Sequence, residues 1–494
     1  MLATSTIRRV PARPVRHQPR VTRSHRLPTG VCAASLLALG LLVSPAWAQP
    51  TTALERVDEF VRAEMARQKV PGVALAVVRN GEVLRAQGYG LANVEHQVPV
   101  RPETVFQSAS LGKQFTATAV MLLVEAGKVG LGDPLTRYFP LAPETWRQIT
   151  VQNLLTHTSG IPEYETGGVI DWQRDFSEDS LAKVAFALKL EFPAGSRWSY
   201  SSTGYVLLGI IIHKASGEFY GDLLRERVFG PLGMSTTRII SEADIVPNRA
   251  AGYRLVDGEL KNQDWVSPSL NTTADGTLYF SILDLIAWDR GLRSGAVLRT
   301  ESWARVFEPV KLTSGRSYPY GFGWGVEEIN GQKVQSHGGA WQGFRTYICR
   351  YLGDGLTIAV LANLADANPR RFVDGIAGIM DSTLAPPPEV PIPDREPAIS
   401  ARLRALLATA AQGGLSPAQF AYVRAGFFPE TPKRFAAMLR DLGVPDQVQL
   451  FERKELGDDR VYRYRVGYGQ KSFDVRLGLA PDDRITVLQI WPRP

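Results

Sequence analysis

From position 52 onward the apolar residues switch between helical and strand spacing. Thr52-Ala53-Leu54-Glu55 has the form of a capping box, in which the first and fourth side chains each satisfy the other's backbone N–H. Leu54, Val57, Val61 and Met65 then fall on one helical face, which predicts a helix that stops at Pro71-Gly72. Residues 73–78 and 82–88 flank Asn80-Gly81, a pair that tolerates the positive φ angles of a tight hairpin, so two antiparallel strands are expected. Helical spacing returns over 111–126, with Gly127 as the stop, and in the apolar run 205–212. Strand-like runs follow at 321–326, 346–351 and 356–361. The pattern predicts a mixed α and β fold, with the first helix and the last strands next to the same sheet.

The pattern breaks at 384–397, where Pro386-Pro387-Pro388, Pro391, Pro393 and Pro397 make a stiff, extended spacer. The expected organisation is a leader over 1–48, a main domain over 49–385, a Pro-rich linker over 386–397 and a small C-terminal α+β domain over 398–494. In that last unit 398–442 reads as short helices and the rest as a meander of four strands. Tyr462, Tyr464, Val466 and Tyr468 share a face of one strand, and Phe473, Val475, Leu477 and Leu479 share a face of the next. No chemistry is evident there, and the unit is read as accessory.

Composition changes this picture mainly at the N-terminus. The 494 residues, 44% hydrophobic and 21% charged, have a globular make-up. A formal charge of +7 suggests a nucleic-acid or membrane partner until it is located: the seven arginines of residues 1–48 account for all of it. No nucleic-acid partner is therefore expected. The basic stretch runs into an apolar run at 31–43 and then Ala46-Trp47-Ala48, the pattern of a secretory signal peptide cut before Gln49. The apolar run falls short of the roughly 20 residues that span a bilayer, so the expectation is a periplasmic or secreted chain with no stable membrane insertion. The long basic region leaves the start codon open. Cys32 would leave with the leader, making Cys349 the one cysteine of the exported chain and excluding an internal disulfide. His96, His157, His213 and His337 are scattered, and no HExxH, Cys/His cluster, Walker lysine or dinucleotide fingerprint occurs, so no metal and no cofactor is expected.

A serine followed three residues on by lysine at a helix start sets a hydroxyl against an amine one turn away. Ser110-Leu111-Gly112-Lys113 has this form, and so does Ser180-Leu181-Ala182-Lys183. The second lies in an acidic helix entry (Ser177-Glu178-Asp179) and reads as a chance copy. A serine-lysine pair also needs a proton route and a pocket for the oxyanion. Downstream, Trp198-Ser199-Tyr200-Ser201-Ser202 follows a tight turn, and Ser336-His337-Gly338-Gly339-Ala340 precedes Trp341, its glycines allowing close approach to a strand backbone. No complete GxSxG elbow is present.

These three elements, in this order over roughly 52–385, resemble the β-lactamase-related serine hydrolases, which include class C β-lactamases, D-alanyl-D-alanine carboxypeptidases, D-aminopeptidases and similar esterases. The segments 106–118, 153–162 and 200–209 also look like that family. The resemblance implies an α/β sandwich of the α+β type, an antiparallel sheet covered by helices, with the site between the sheet edge and a helical part. It implies Ser110 as the acylated nucleophile, Lys113 as the lysine assisting its deprotonation, Tyr200 as the proton shuttle to the leaving group, and His337-Gly338-Gly339 as the third motif. The oxyanion would be held by the backbone N–H groups of Ser110 and Ala340. Lys113 can act as base only if its pKa falls from about 10.4; otherwise Tyr200 takes that part as phenolate. Both readings stay open.

Two positions depart from the penicillin-recognising pattern. Ser202 stands where an asparagine would hold a substrate amide, and His337, with an ordinary value near 6.5, stands where a permanent lysine cation would hold a carboxylate. Both changes spare bond breaking and soften β-lactam selection. They favour a small-molecule ester or amide substrate over a β-lactam, with a D-amino-acid peptidase, a carboxypeptidase or a weak β-lactamase as alternatives. An exported, non-catalytic binding module is the alternative of another class. Among the other aromatics, Trp172, Trp198, Trp324 and Trp341 are candidates for an acyl pocket, Trp341 foremost, whereas His157 in its Thr/Ser/Gly turn reads as structural. The oligomeric state is not legible.

Overall fold

In the computed structural model, residues 52–164 and 168–493 are described, so the expected leader, its cut after Ala48 and Cys32 lie outside them. Helix α1 (Ala53–Gln68) starts where the capping box predicts: Thr52 Oγ1 accepts from Glu55 N at 3.2 Å and Glu55 Oε2 from Thr52 N at 2.7 Å. Strands β1 (Gly72–Arg79) and β2 (Glu82–Asn93) form the hairpin, with Asn80 and Gly81 at φ 53° and 84°. The short β3 (Val98–Pro99) follows, then helices α2 (Lys113–Glu125), α3 (Ser202–Ser216) and α4 (Ile282–Ser294). The sheet is completed by β4 (Gly325–Ile329), β5 (Gln332–Trp341), β6 (Phe344–Tyr351) and β7 (Leu356–Ala362), after which α5 (Pro369–Met380) returns over it.

The seven strands lie in the order β4-β5-β6-β7-β1-β2-β3, every pairing antiparallel. Alternate residues of β1 and β7 point to opposite faces, and both faces are covered. Val57, Leu75, Ile358 and Phe372 join α1 and α5 to one side, while Phe115, Leu208, Trp288 and Leu361 belong to the larger helical core on the other. The result is the expected sandwich. Asp289 of α4, 1% exposed, fixes one helix to the sheet by accepting from Arg350 Nε of β6 at 2.9 Å and from Thr357 Oγ1 of β7 at 2.8 Å.

One strand expectation is corrected. Over 321–326 the strand begins only at Gly325, because Gly323 adopts φ 74° and sits where a Cβ would come within 2.8 Å of the Lys113 carbonyl. Residues 321–324 are a buried loop packed on the start of α2, apolar for that reason.

Beyond the proline run, α6 (Pro397–Ala411) and α7 (Glu430–Leu439) cover a four-stranded meander of β8 (Gln447–Leu456), β9 (Asp459–Tyr468), β10 (Lys471–Leu479) and β11 (Ile485–Pro492). Tyr462, Tyr464, Val475 and Leu477 form its core with Leu403 and Phe435. Residues 51–494 form one compact unit. Within it Arg197 and Asp459 pair at 2.9 Å, and Ala425 N donates to Glu191 at 2.8 Å across the two parts. Among the described residues no helix is long and apolar enough to cross a membrane.

Candidate active site

The site is built around a turn clamped from far along the chain. Ser108 is fully buried: its Oγ donates to the Gly276 carbonyl at 2.6 Å and accepts from Leu278 N at 3.0 Å, while its carbonyl accepts from Thr346 Oγ1 at 2.7 Å. Ala109 is held at φ 51°, a left-handed conformation costly for a residue with a Cβ. Two glycines make room. A Cβ at Gly276 would lie 2.2 Å from the Ala109 carbonyl oxygen, and one at Gly339 would lie 2.4 Å from that of Ser108. A 3-10 turn, Ala109–Gly112, then carries half-buried Ser110 into α2, whose first residue is Lys113.

Lys113 is completely buried, and its ammonium has an acceptor for each of three donors: Ser110 Oγ at 3.1 Å, Ser202 Oγ at 3.4 Å and the Asp275 carbonyl. Its Nζ lies 5.0 Å from the centre of the Tyr200 ring. The Tyr200 hydroxyl is buried without a hydrogen bond of good geometry, and Ser110 and Lys113 are the polar groups near enough to act on it. Burial pushes the Tyr200 phenol up, against the opposing pull of the Lys113 charge. Burial pushes Lys113 down, but negative charge on Tyr200, Asp275 and Glu163 outweighs it and holds the amine above its ordinary value. Because the raising of Lys113 by Tyr200 is the attraction between an ammonium and a phenolate, the proton that the two groups share belongs to the pair and not to either residue.

The two histidines form a directed relay. Ser201 N–H donates to His157 Nδ1 at 3.1 Å, so His157 carries its proton on Nε2 and donates to Tyr320 Oη at 3.1 Å. Tyr320 in turn donates to His337 Nε2 at 2.9 Å, and His337 Nδ1 donates to the Gly338 carbonyl at 2.6 Å. Backbone groups at both ends fix both tautomers. Burial and the Lys113 charge lower both rings, His157 well below its ordinary value and His337 to about 3. His337 is therefore a neutral strut between motifs and offers no cation.

Of the other expected residues, Gly338, Gly339 and Ala340 line the same cleft as Ser110. Strand β4 pairs β5 only from Gln332 to Ser336, so residues 337–341 present a sheet edge beside the turn that carries Ser110. Ser202 faces Lys113, and its backbone N–H donates to Glu163 at 2.8 Å. Trp341 is held by Asn271 at 3.0 Å and packs on Trp172 outside the cleft lining; Trp324 is in the core, and Trp198 is the tryptophan that lines the cleft. Ser180 bonds to its own N-cap, Ser177, and Lys183 is exposed, so the second copy of the motif has no pocket. Sequence reasoning missed Glu163, Asp275 and Tyr320. Asp275 is buried and accepts from Thr273 at 2.6 Å. The Glu163 carboxyl is raised by burial to about 7. Glu163 follows the family-like segment 153–162 directly, the one hint available. Among the described residues no group of His, Cys, Asp and Glu could hold a metal ion.

The beta-lactamase family model matches residues 57–378, most of the chain and every residue of this site. The chain belongs to the beta-lactamase family. It is 31% identical over 308 residues to penicillin-binding protein 4* of Bacillus subtilis, covering 59% of this chain and 68% of that one. It is 28% identical over 315 residues to a D-aminopeptidase of Gluconobacter oxydans, spanning 62% of this chain but only 58% of that relative's length. Among solved structures it is similar to the octameric penicillin-binding protein homologue from Pyrococcus abyssi (TM-score 0.58, 26% identity, 86% of this chain and 90% of that one). It is also similar to the D-amino acid amidase from Ochrobactrum anthropi (TM-score 0.57, 27% identity, 67% and 97%). This member of the family is a serine hydrolase.

Proposed function

We infer that the chain hydrolyses small carboxylic amides, those of D-amino acids included, through an acyl-enzyme on Ser110. Esters are substrates of the same chemistry. The observation that carries this reading is the buried Lys113 amine, 3.1 Å from Ser110 Oγ and 5.0 Å from the centre of the Tyr200 ring. An amine leaves an amide only with a proton supplied, whereas an ester's alkoxide leaves more readily, and a pair that takes up the Ser110 proton stands where it can return it to that nitrogen. Once the pair has lost one proton it takes the Ser110 hydroxyl proton as Oγ bonds to the carbonyl carbon. The backbone N–H groups of Ser110 and Ala340 receive the oxyanion. The pair then returns the proton to the nitrogen as the C–N bond breaks, and water repeats the cycle on the acyl-enzyme. The names of the relatives, D-aminopeptidase and D-amino acid amidase, support the amide over the ester. Neutral His337 and the engaged Ser202 speak against β-lactams.

The test compares purified chain with Ser110→Ala on a D-amino-acid amide, an acylated D-Ala-D-Ala peptide, a short p-nitrophenyl ester and nitrocefin. Serine-dependent turnover of the amide or the peptide is the expected result; dominant nitrocefin turnover, or cleavage of the ester alone, overturns the reading. Residues 1–48 are proposed to act as a secretory leader, and the exported protein should begin at Gln49 on N-terminal sequencing.

A further inference from the structure

The cleft that holds Ser110, about 1070 Å³ in volume, is lined in part by the C-terminal sheet. Three basic side chains line it: Arg370, Lys454 and Arg476. Two have acids of their own, Arg370 with Asp374 at 3.7 Å and Lys454 with Glu452 at 3.0 Å. Arg476 is half-buried and, among the described residues, its guanidinium has no ion pair and no hydrogen bond.

Its position makes that unusual. On β10 it lies directly opposite Arg463 of β9, and like charges facing each other across two strands destabilise the pairing. Arg463 is relieved by Glu389 at 2.8 Å; Arg476 is not. On the cleft side its charge acts on Tyr318, which stacks on Trp198 with ring centres 4.3 Å apart. A guanidinium with no ion pair of its own thus stands beside a flat aromatic platform in the same cleft as Ser110, among acids of which Glu327 and Asp459 also act on Tyr318, while His337, where relatives of the penicillin-recognising kind carry a cation, is neutral.

We propose that Arg476 is a specificity-determining residue, supplied by the C-terminal unit, that receives a carboxylate of the substrate remote from the bond broken at Ser110. The inference rests on the amide reading for its choice of substrate. A guanidinium fork matches a carboxylate in geometry, and a charged hydrogen bond of this kind corresponds to roughly tenfold or more in affinity. The C-terminal unit then selects acidic substrates in place of a cation on the third motif.

Binding is measured by calorimetry on the full chain carrying Ser110→Ala, so that turnover does not enter. The probes are N-acetylated D-alanyl peptides of two to four residues, each as free acid and as C-terminal amide. At the best length the acid should bind about tenfold or more tighter than the amide. Arg476→Gln should bring that ratio close to one, and Arg476→Lys should restore part of it. The ratio is internal to each variant, so a general loss of fold does not imitate the effect. No acid preference at any length, no binding of the acids, or a preference that survives Arg476→Gln overturns the proposal. Failure of the unsubstituted chain to hydrolyse these peptides, with the binding preference intact, counts against the amide reading instead.

Discussion

At the scale of single residues, the proposed chemistry turns on the protons of Lys113 and Tyr200. Both groups are held above their ordinary values, so the singly deprotonated form that can accept the Ser110 proton grows as pH rises. Activity should climb with pH through the alkaline range, and Tyr200→Phe should lower kcat by about 10²- to 10⁴-fold while leaving the circular dichroism spectrum intact. Near-parent activity would remove Tyr200 from the proton route. Glu163 contributes in the opposite pH direction. Its carboxyl ordinarily titrates near 4.5 but in the fold near 7, so the native state holds a proton that the unfolded chain has lost. Its stabilising share is full below 4.5 and is lost as pH rises through about 7. Urea unfolding at pH 5 and pH 8 should show Glu163→Gln losing less stability than the parent across that interval, by on the order of 1 kcal/mol after discounting for the solvent that still reaches this partly buried residue. An equal loss in both would refute the assignment.

At the scale of elements, the sequence is legible wherever one local device decides the outcome. The Thr52 capping box, the Asn80-Gly81 turn and the alternation of tyrosines along β9 each lead to an element found in place. Ser110 and Lys113 are legible for the same reason, since one helical turn brings them together. The residues missed are joined only by the fold. Tyr320 lies 163 positions from His157 and the Asp275 carbonyl 162 from Lys113, and no spacing rule connects such pairs. The stretch 321–324 misleads because its burial comes from a loop packed on α2 rather than from a sheet. Trp341, adjacent in sequence to Ala340, turns toward Asn271 because neighbours along a strand point to opposite faces. The same scale holds the Asp289–Arg350 staple between α4 and β6. Asp289→Ala would leave a buried guanidinium without its counter-ion, and thermal or urea unfolding should report a loss of about 3–5 kcal/mol. A change below about 1 kcal/mol would mean that Arg350 finds another partner.

At the scale of the whole molecule, the turn bearing Ser110 is held by groups 168 and 238 positions away, Gly276 and Thr346. Contacts of such long sequence separation close late, because each must await the loops between them. A chain diluted out of denaturant should therefore regain its helical ellipticity first and its catalytic rate last. Recovered turnover then becomes a clock for the final stage of assembly, and a refolding intermediate of this enzyme should be structured yet silent.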